Sequence, residues 1–106
     1  MFSLVQQKTD IILNSRNSKI DVIFSSVVKQ YQLRELLECF DYLSINALIL
    51  HVDENERLLS IQINTVKLFT VKRCKKIIET LFPSSTVSIK SIGGISYKEY
   101  MYKIGA

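Results

Sequence analysis

The chain has 106 residues, of which 47% are hydrophobic and 23% charged, with a formal net charge of +4 and two cysteines. That length allows one compact domain, or two very small lobes sharing a core, and leaves little room for a deep catalytic cleft. The hydrophobic share argues against disorder, no run approaches the ~20 apolar residues of a membrane span, and Phe2, Leu4 and Val5 fall far short of a secretory signal.

The charge is split. Residues 1–59 hold six Lys/Arg against eight Asp/Glu, while residues 60–106 hold eight against two, so the halves carry −2 and +6. Clustered cations gain by releasing counterions condensed on a phosphate backbone, which directs attention to the second half. A composition rich in Ile, Leu, Ser, Lys and Tyr with only two Ala fits an AT-rich coding genome such as that of an organelle, a virus or a small-genome microbe. Ordinary compositional drift fits it equally well.

Residues 4–13 place Val5, Ile12 and Leu13 near one helical face, which predicts a short first helix. Ile20, Val22 and Phe24 alternate with Asp21 and Ile23 as a short strand. Ser25 and Ser26 are placed to cap the next element, a helix with Leu33, Leu36, Leu37 and Phe40 at i, i+3, i+4 and i+7. Leu48, Leu50 and Val52, then Leu59, Ile61 and Ile63, alternate on either side of a charged loop and predict a β-hairpin. The loop carboxylates Asp53, Glu54 and Glu56 lack the glycine and ligand spacing of a calcium loop and read as a solvated tip.

Periodicity predicts a third helix from a Thr70 cap to Leu81, with Val71, Cys74, Ile78 and Leu81 inward and Lys72, Arg73, Lys75, Lys76 and Glu79 outward, closed by Pro83. Val87 and Ile89 then mark a strand, Gly93-Gly94 a turn, and residues 95–102 a strand or helix. The expected fold class is α+β, a small two-lobed domain with an α-β-α-β-β lobe over 1–66 and a shortened basic lobe over 67–106.

Catalytic signatures are missing from the sequence. It has no GxGxxG, P-loop or GxSxG, and its carboxylates fall on a helix face and a loop tip, where nothing tunes them for acid–base work. His51 stands without ligand-spaced neighbours, and Cys39 and Cys74 lack the paired spacing of a zinc or redox motif. The thiols read as buried and free, with a disulfide between them as the alternative. No enzyme, metal site or cofactor is expected.

The run Lys72-Arg73-Cys74-Lys75-Lys76 is the strongest functional signal, because four cations in five residues can meet successive phosphates. Lys90, Lys98 and Lys103 interleave with Tyr97, Tyr100 and Tyr102, whose rings could stack on bases or riboses. The bland counterpart is a solvated basic face with structural tyrosines.

The ordered pieces resemble a family. Residues 10–18, DIILNSRNS, are similar to the "DMLTRIRNA" helix that opens small ribosomal subunit protein 8 of bacteria and organelles, with Asp10, Arg16 and Asn17 in register. The strand at 20–24, the Ser25-Ser26 pair and the Leu33–Phe40 segment resemble its strand, "PSSK" cap and second helix. Phe82-Pro83-Ser84-Ser85 with 87–90 is similar to its "SKPG..RVY" segment, and Ser96–Tyr100 to its "YKEL".

The sequence departs from that pattern at Phe24, where the family has proline, and in having no glycine after the second helix. Nor is there a counterpart of the "STSKG" RNA loop, so the resemblance implies a second lobe cut short. It also implies an extended segment, not a helix, over 71–81, with Ile78, Thr80 and Phe82 on one face.

By this resemblance the chain is expected to bind small-subunit rRNA, in its central domain, as a structural component beside neighbouring ribosomal proteins. A mitochondrial location is favoured, with a cytoplasmic one as the alternative. The residues expected at RNA are Arg16, Asn17, Ser25, Ser26, Lys29, Lys72, Arg73, Lys75, Lys76, Ser84, Ser85, Lys90, Tyr97 and Lys98. Neither a membrane nor a small-molecule substrate is expected. The competing class is a non-enzymatic protein–protein interaction module, possibly of viral origin.

Overall fold

A computed structural model describes residues 16–53 and 57–105. The helix expected over 4–13 and the tip residues Glu54 and Glu56 lie outside the described residues. Among those described, the elements are β1 (Ser18–Ile23), α1 (Gln30–Tyr42), β2 (Ala47–Asp53), β3 (Leu58–Ile63), α2 (Leu68–Leu81), β4 (Thr86–Ile92), β5 (Ile95–Ser96) and α3 (Tyr97–Lys103). The protein is α+β, as its sequence predicts.

The five strands form one antiparallel sheet in the order β2-β3-β1-β4-β5. A β-α-β-β-α-β path with β1 between β3 and β4 is the split βαβ arrangement, here extended by a hairpin and a short helix. β4, from the basic second segment, therefore pairs with β1 from the first.

Alternation puts Ile20 and Val22 of β1 beside Ile61 and Leu59 of β3 and Ile89 and Val87 of β4, all buried on one face. Leu33, Leu36 and Phe40 of α1 and Val71, Cys74 and Ile78 of α2 complete the same core. Both longer helices thus cover one side of the sheet. The opposite side carries Lys19, Asp21, Ser60 and Ser88, with Ser60 Oγ donating to Asp21 Oδ1 at 2.9 Å.

Four local expectations change. Ser25 and Ser26 do not cap α1, which starts four residues later, after Lys29, where Gln32 Oε1 accepts from the Lys29 amide at 2.9 Å. Thr70 lies inside the first turn of α2; that helix begins after Lys67, whose amide donates to Thr65 Oγ1 at 3.2 Å. Leu81 ends 42% exposed, because α2 finishes at the lip of the sheet. In β2, Ile49 is buried opposite Ile61 while Leu48 lies on the other face, and a register shift between Ile49 and His51 then sets Val52 opposite buried Leu59, where on the edge strand it stays about 40% exposed.

The contest over 71–81 is decided for helix. Val71, Cys74 and Ile78 are each fully buried, at the spacing of one helical face. The tail resolves into both forms it allowed: Gly93 and Gly94 turn with φ of 62° and 84°, β5 pairs back on β4, and Ser96 Oγ then caps α3 by accepting from the Glu99 amide.

The missing glycine after α1 has a substitute. Ser44 adopts φ 60°, and the Ile45 amide reaches back to the Phe40 carbonyl at 2.8 Å. A side chain in that conformation costs about 1–2 kcal/mol, so Ser44→Gly is expected to raise stability by up to about 1 kcal/mol after the unfolded-state entropy of glycine is subtracted. Leu36→Ala, emptying a fully buried site between α1 and the sheet, should cost about 2–5 kcal/mol, and half-buried Leu37→Ala less. Urea melts of the three variants check both statements.

Candidate nucleic-acid interface

α2 is amphipathic with a cationic outer arc. With Val71, Cys74 and Ile78 turned to the sheet, helical spacing of 100° per residue places Lys72, Lys75, Lys76 and Glu79 along one ridge and Arg73 beside it. Lys75 Nζ pairs with Glu79 Oε2 at 3.3 Å, one turn on. Lys72, Arg73 and Lys76 are exposed and enter neither of the two ion pairs seen among the described residues, Lys75–Glu79 and Lys103–Glu99.

Within that arc stands Phe69, 79% exposed, with Lys72, Arg73 and Lys76 at i+3, i+4 and i+7. The signal for it in the sequence is the helical spacing to the cations, which a helix starting at a Thr70 cap leaves out. An aromatic ring among cations is a stacking platform that every base can use.

Beside this ridge an open groove runs between α2 and β4, lined by Lys72, Lys75, Lys76, Glu79, Val87–Ile89 and Tyr97. β5 pairs only with Ser91 and Ile92, so residues 86–90 of β4 form a sheet edge along this groove with no strand on their outer side among the described residues. Tyr97 joins the groove, though both it and Tyr100 pack partly against the core, while Tyr102 is 84% exposed. The interleaved tyrosines therefore do not form one aromatic row.

The other expected residues fall in separate places. Ser25 and Ser26 meet Ser84 and Ser85 across a groove at the end of the sheet where the β1–α1 and α2–β4 connections approach. The approach is anchored by Phe24 and Phe82, edge to face with ring centres 5.0 Å apart. Ser85 Oγ is occupied locally, donating to the Phe82 carbonyl at 2.6 Å. Arg57 adds a cation there, its Nη1 donating to the Ser25 carbonyl.

Lys29 is exposed at the start of α1, and Lys98 is exposed on α3. Arg16 is exposed at the far end of β1 from the serine groove, and Asn17 beside it is 2% exposed, its carbonyl accepting from Gly93 at 2.9 Å. Lys90 is exposed at the β4 register shift opposite Lys19 and Ile20. Of the fourteen residues, Lys72, Lys75, Lys76 and Tyr97 line the groove beside α2, with Arg73 on its flank, and Ser25, Ser26, Ser84 and Ser85 line the other groove.

His51 is exposed opposite Ser60. Among the described residues no three His, Cys, Asp or Glu side chains gather as metal ligands. Comparison with protein-family models, with curated proteins and with solved structures finds no match to this chain.

Both cysteines are free thiols. Burial pushes the Cys74 thiol from 9.0 up to about 11, against the opposing pull of the Arg73 charge and a backbone hydrogen bond. An unfolded chain loses this proton near the ordinary value while the folded chain keeps it, so stability is complete below pH 9 and falls towards pH 11. The expected loss is about 2–3 kcal/mol, at ~1.4 kcal/mol per pH unit. Melts across that range should show a shallower decline in Cys74→Ala, and an alkylating reagent at neutral pH should label half-buried Cys39 well before Cys74.

Proposed function

We propose that this chain binds structured RNA as a non-catalytic, architectural component of a ribonucleoprotein, through the outer face of α2 and the groove beside it. The observation that carries the reading is the cluster of Lys72, Arg73 and Lys76 around exposed Phe69 on one helix face. Cations there neutralise phosphates and a ring stacks on an unpaired base, which gives affinity without needing a reactive group.

The mode differs from that of four-stranded RNA-binding sheets, which stack bases on aromatic residues of their central strands. The central strands here present Lys19, Asp21, Ile23, Leu58, Ser60 and Gln62 on the side away from α1 and α2, with no ring among them. The particle that the resemblance names is the small ribosomal subunit, with a mitochondrial one as the favoured setting and the central rRNA domain as the target. α2 stands where that resemblance implies an extended chain, so the RNA reading rests on the cationic face and not on the family.

A second reading has its own observation. The edge of β4 over 86–90 offers backbone groups to an added strand from another protein.

Replacing Lys72, Arg73 and Lys76 together by Glu should abolish binding to a labelled RNA stem-loop while leaving the circular dichroism spectrum unchanged. Single Ala variants should each flatten the logarithmic salt dependence by about 0.7–0.9. Phe69→Ala should weaken binding by roughly 1–3 kcal/mol with the salt slope intact. Equal RNA affinity in the folded triple variant, or preparation of the protein from nuclease-free lysate without absorbance at 260 nm, would turn the choice to the protein–protein reading.

A further inference from the structure

On the side of the sheet that α1 and α2 leave uncovered, away from the cationic helix, we propose a second binding site: a pocket that receives a single unpaired nucleobase. It is lined by Asn17, Asn46, Ala47, Leu48, Gln62 and Asn64. Gln62 lies on β3 with Lys19 of β1 and Leu48 of β2 as its cross-strand neighbours. The inference deepens the RNA reading, on which the identity of the ligand rests.

Gln62 is the informative residue. It is 7% exposed, and its Oε1 is shut off from solvent with no hydrogen-bond partner among the described residues. A buried acceptor left unmet destabilises the fold unless something supplies a donor. At the rim, the Asn64 amide donates to the Asn46 carbonyl at 2.9 Å, tying the ends of β2 and β3 and holding two more carboxamides beside the opening.

The chemistry of the lining selects the ligand. None of the lining residues carries a charge, and the described charged side chain opposite Gln62 on the same face is the cation Lys19, which disfavours a metal ion. Carboxamides present a donor and an acceptor side by side, the complement of a nucleobase edge, and the pairing of Gln with adenine through N6 and N7 is its familiar form. Ala47 and Leu48 supply an apolar wall, Leu48 being 38% exposed. The space of about 190 Å³ is below the ~300–1,000 Å³ of pockets for drug-sized molecules, which suits one ring system.

The test is a titration of isotope-labelled protein with AMP and, separately, with ribose 5-phosphate, followed through the side-chain amide resonances. AMP should shift Gln62 and Asn64 saturably, and ribose 5-phosphate should leave them in place. Gln62→Leu should abolish the AMP shifts at Asn64. Because Gln62 borders the core, Asn64→Ala at the exposed rim serves as a second variant and should weaken AMP binding several-fold.

Absence of AMP shifts at Gln62, or equal shifts with ribose 5-phosphate, overturns the base pocket. If AMP seats at Gln62 while the α2 variants show that RNA is not bound, the pocket stands and the RNA reading falls. RNA binding at α2 with no AMP response gives the reverse.

Discussion

The pairing of β1 on both of its edges is the constraint on which this fold depends. Ile20 and Val22 are fully buried, with β3 on one side and β4 on the other. Neither neighbour is close in sequence, so a six-residue strand joins segments that start forty and sixty-eight residues further on. Both crossing helices then lie on the same face, because each must bury its stripe against the one continuous apolar surface that β3, β1 and β4 make. The orientation of α2, and with it the direction in which Lys72, Arg73 and Lys76 point, follows from that central strand.

The electrostatics of α2 are a matter of what is left unneutralised. Lys75 spends its charge on Glu79 in an exposed i,i+4 pair worth little to stability. The three remaining cations gain nothing comparable from the fold, and such side chains crowded on one turn repel one another. A cluster kept at that cost is suited to a polyanion, which would relieve the repulsion and release its own counterions. The sheet's other side is built differently, with a serine–aspartate cross-strand bond and a group of carboxamides beside Lys19. One face is thus equipped for field strength and the other for hydrogen-bond pattern.

Elements with a clean period could be read from the residues alone: α1 through Leu33, Leu36 and Phe40, β3 through Leu59, Ile61 and Ile63, and α2 through Val71, Cys74 and Ile78. What could not be read depended on tertiary pairing. In β2 the residue facing the core is Ile49 ahead of the register shift and Val52 after it, and no local pattern announces that change of phase. Helix starts were displaced because Ser25, Ser26 and Thr70 have capping chemistry but the chain enters its helices at Lys29 and Lys67 instead. The basic ridge was visible in the sequence. Phe69 joins it because the helix starts at Leu68, before Thr70, and the isolation of Arg16, Ser84 and Lys90 from it emerges with the sheet order.

Lysine at both of those entry points has a consequence for how the molecule assembles. Neither side chain accepts a hydrogen bond from the first turn, neither helix has an acidic residue there, and each lysine adds positive charge to the positive end of a helix dipole. The two helices are therefore weak as independent units and owe their persistence to the sheet they cover. Since β1 is the first described strand to leave the ribosome during synthesis and its outer partner is not complete until Ile92, most of the chain must be made before the helices have a surface to lie on. Folding is consequently late and cooperative, governed by long-range strand closure rather than by local helix nucleation.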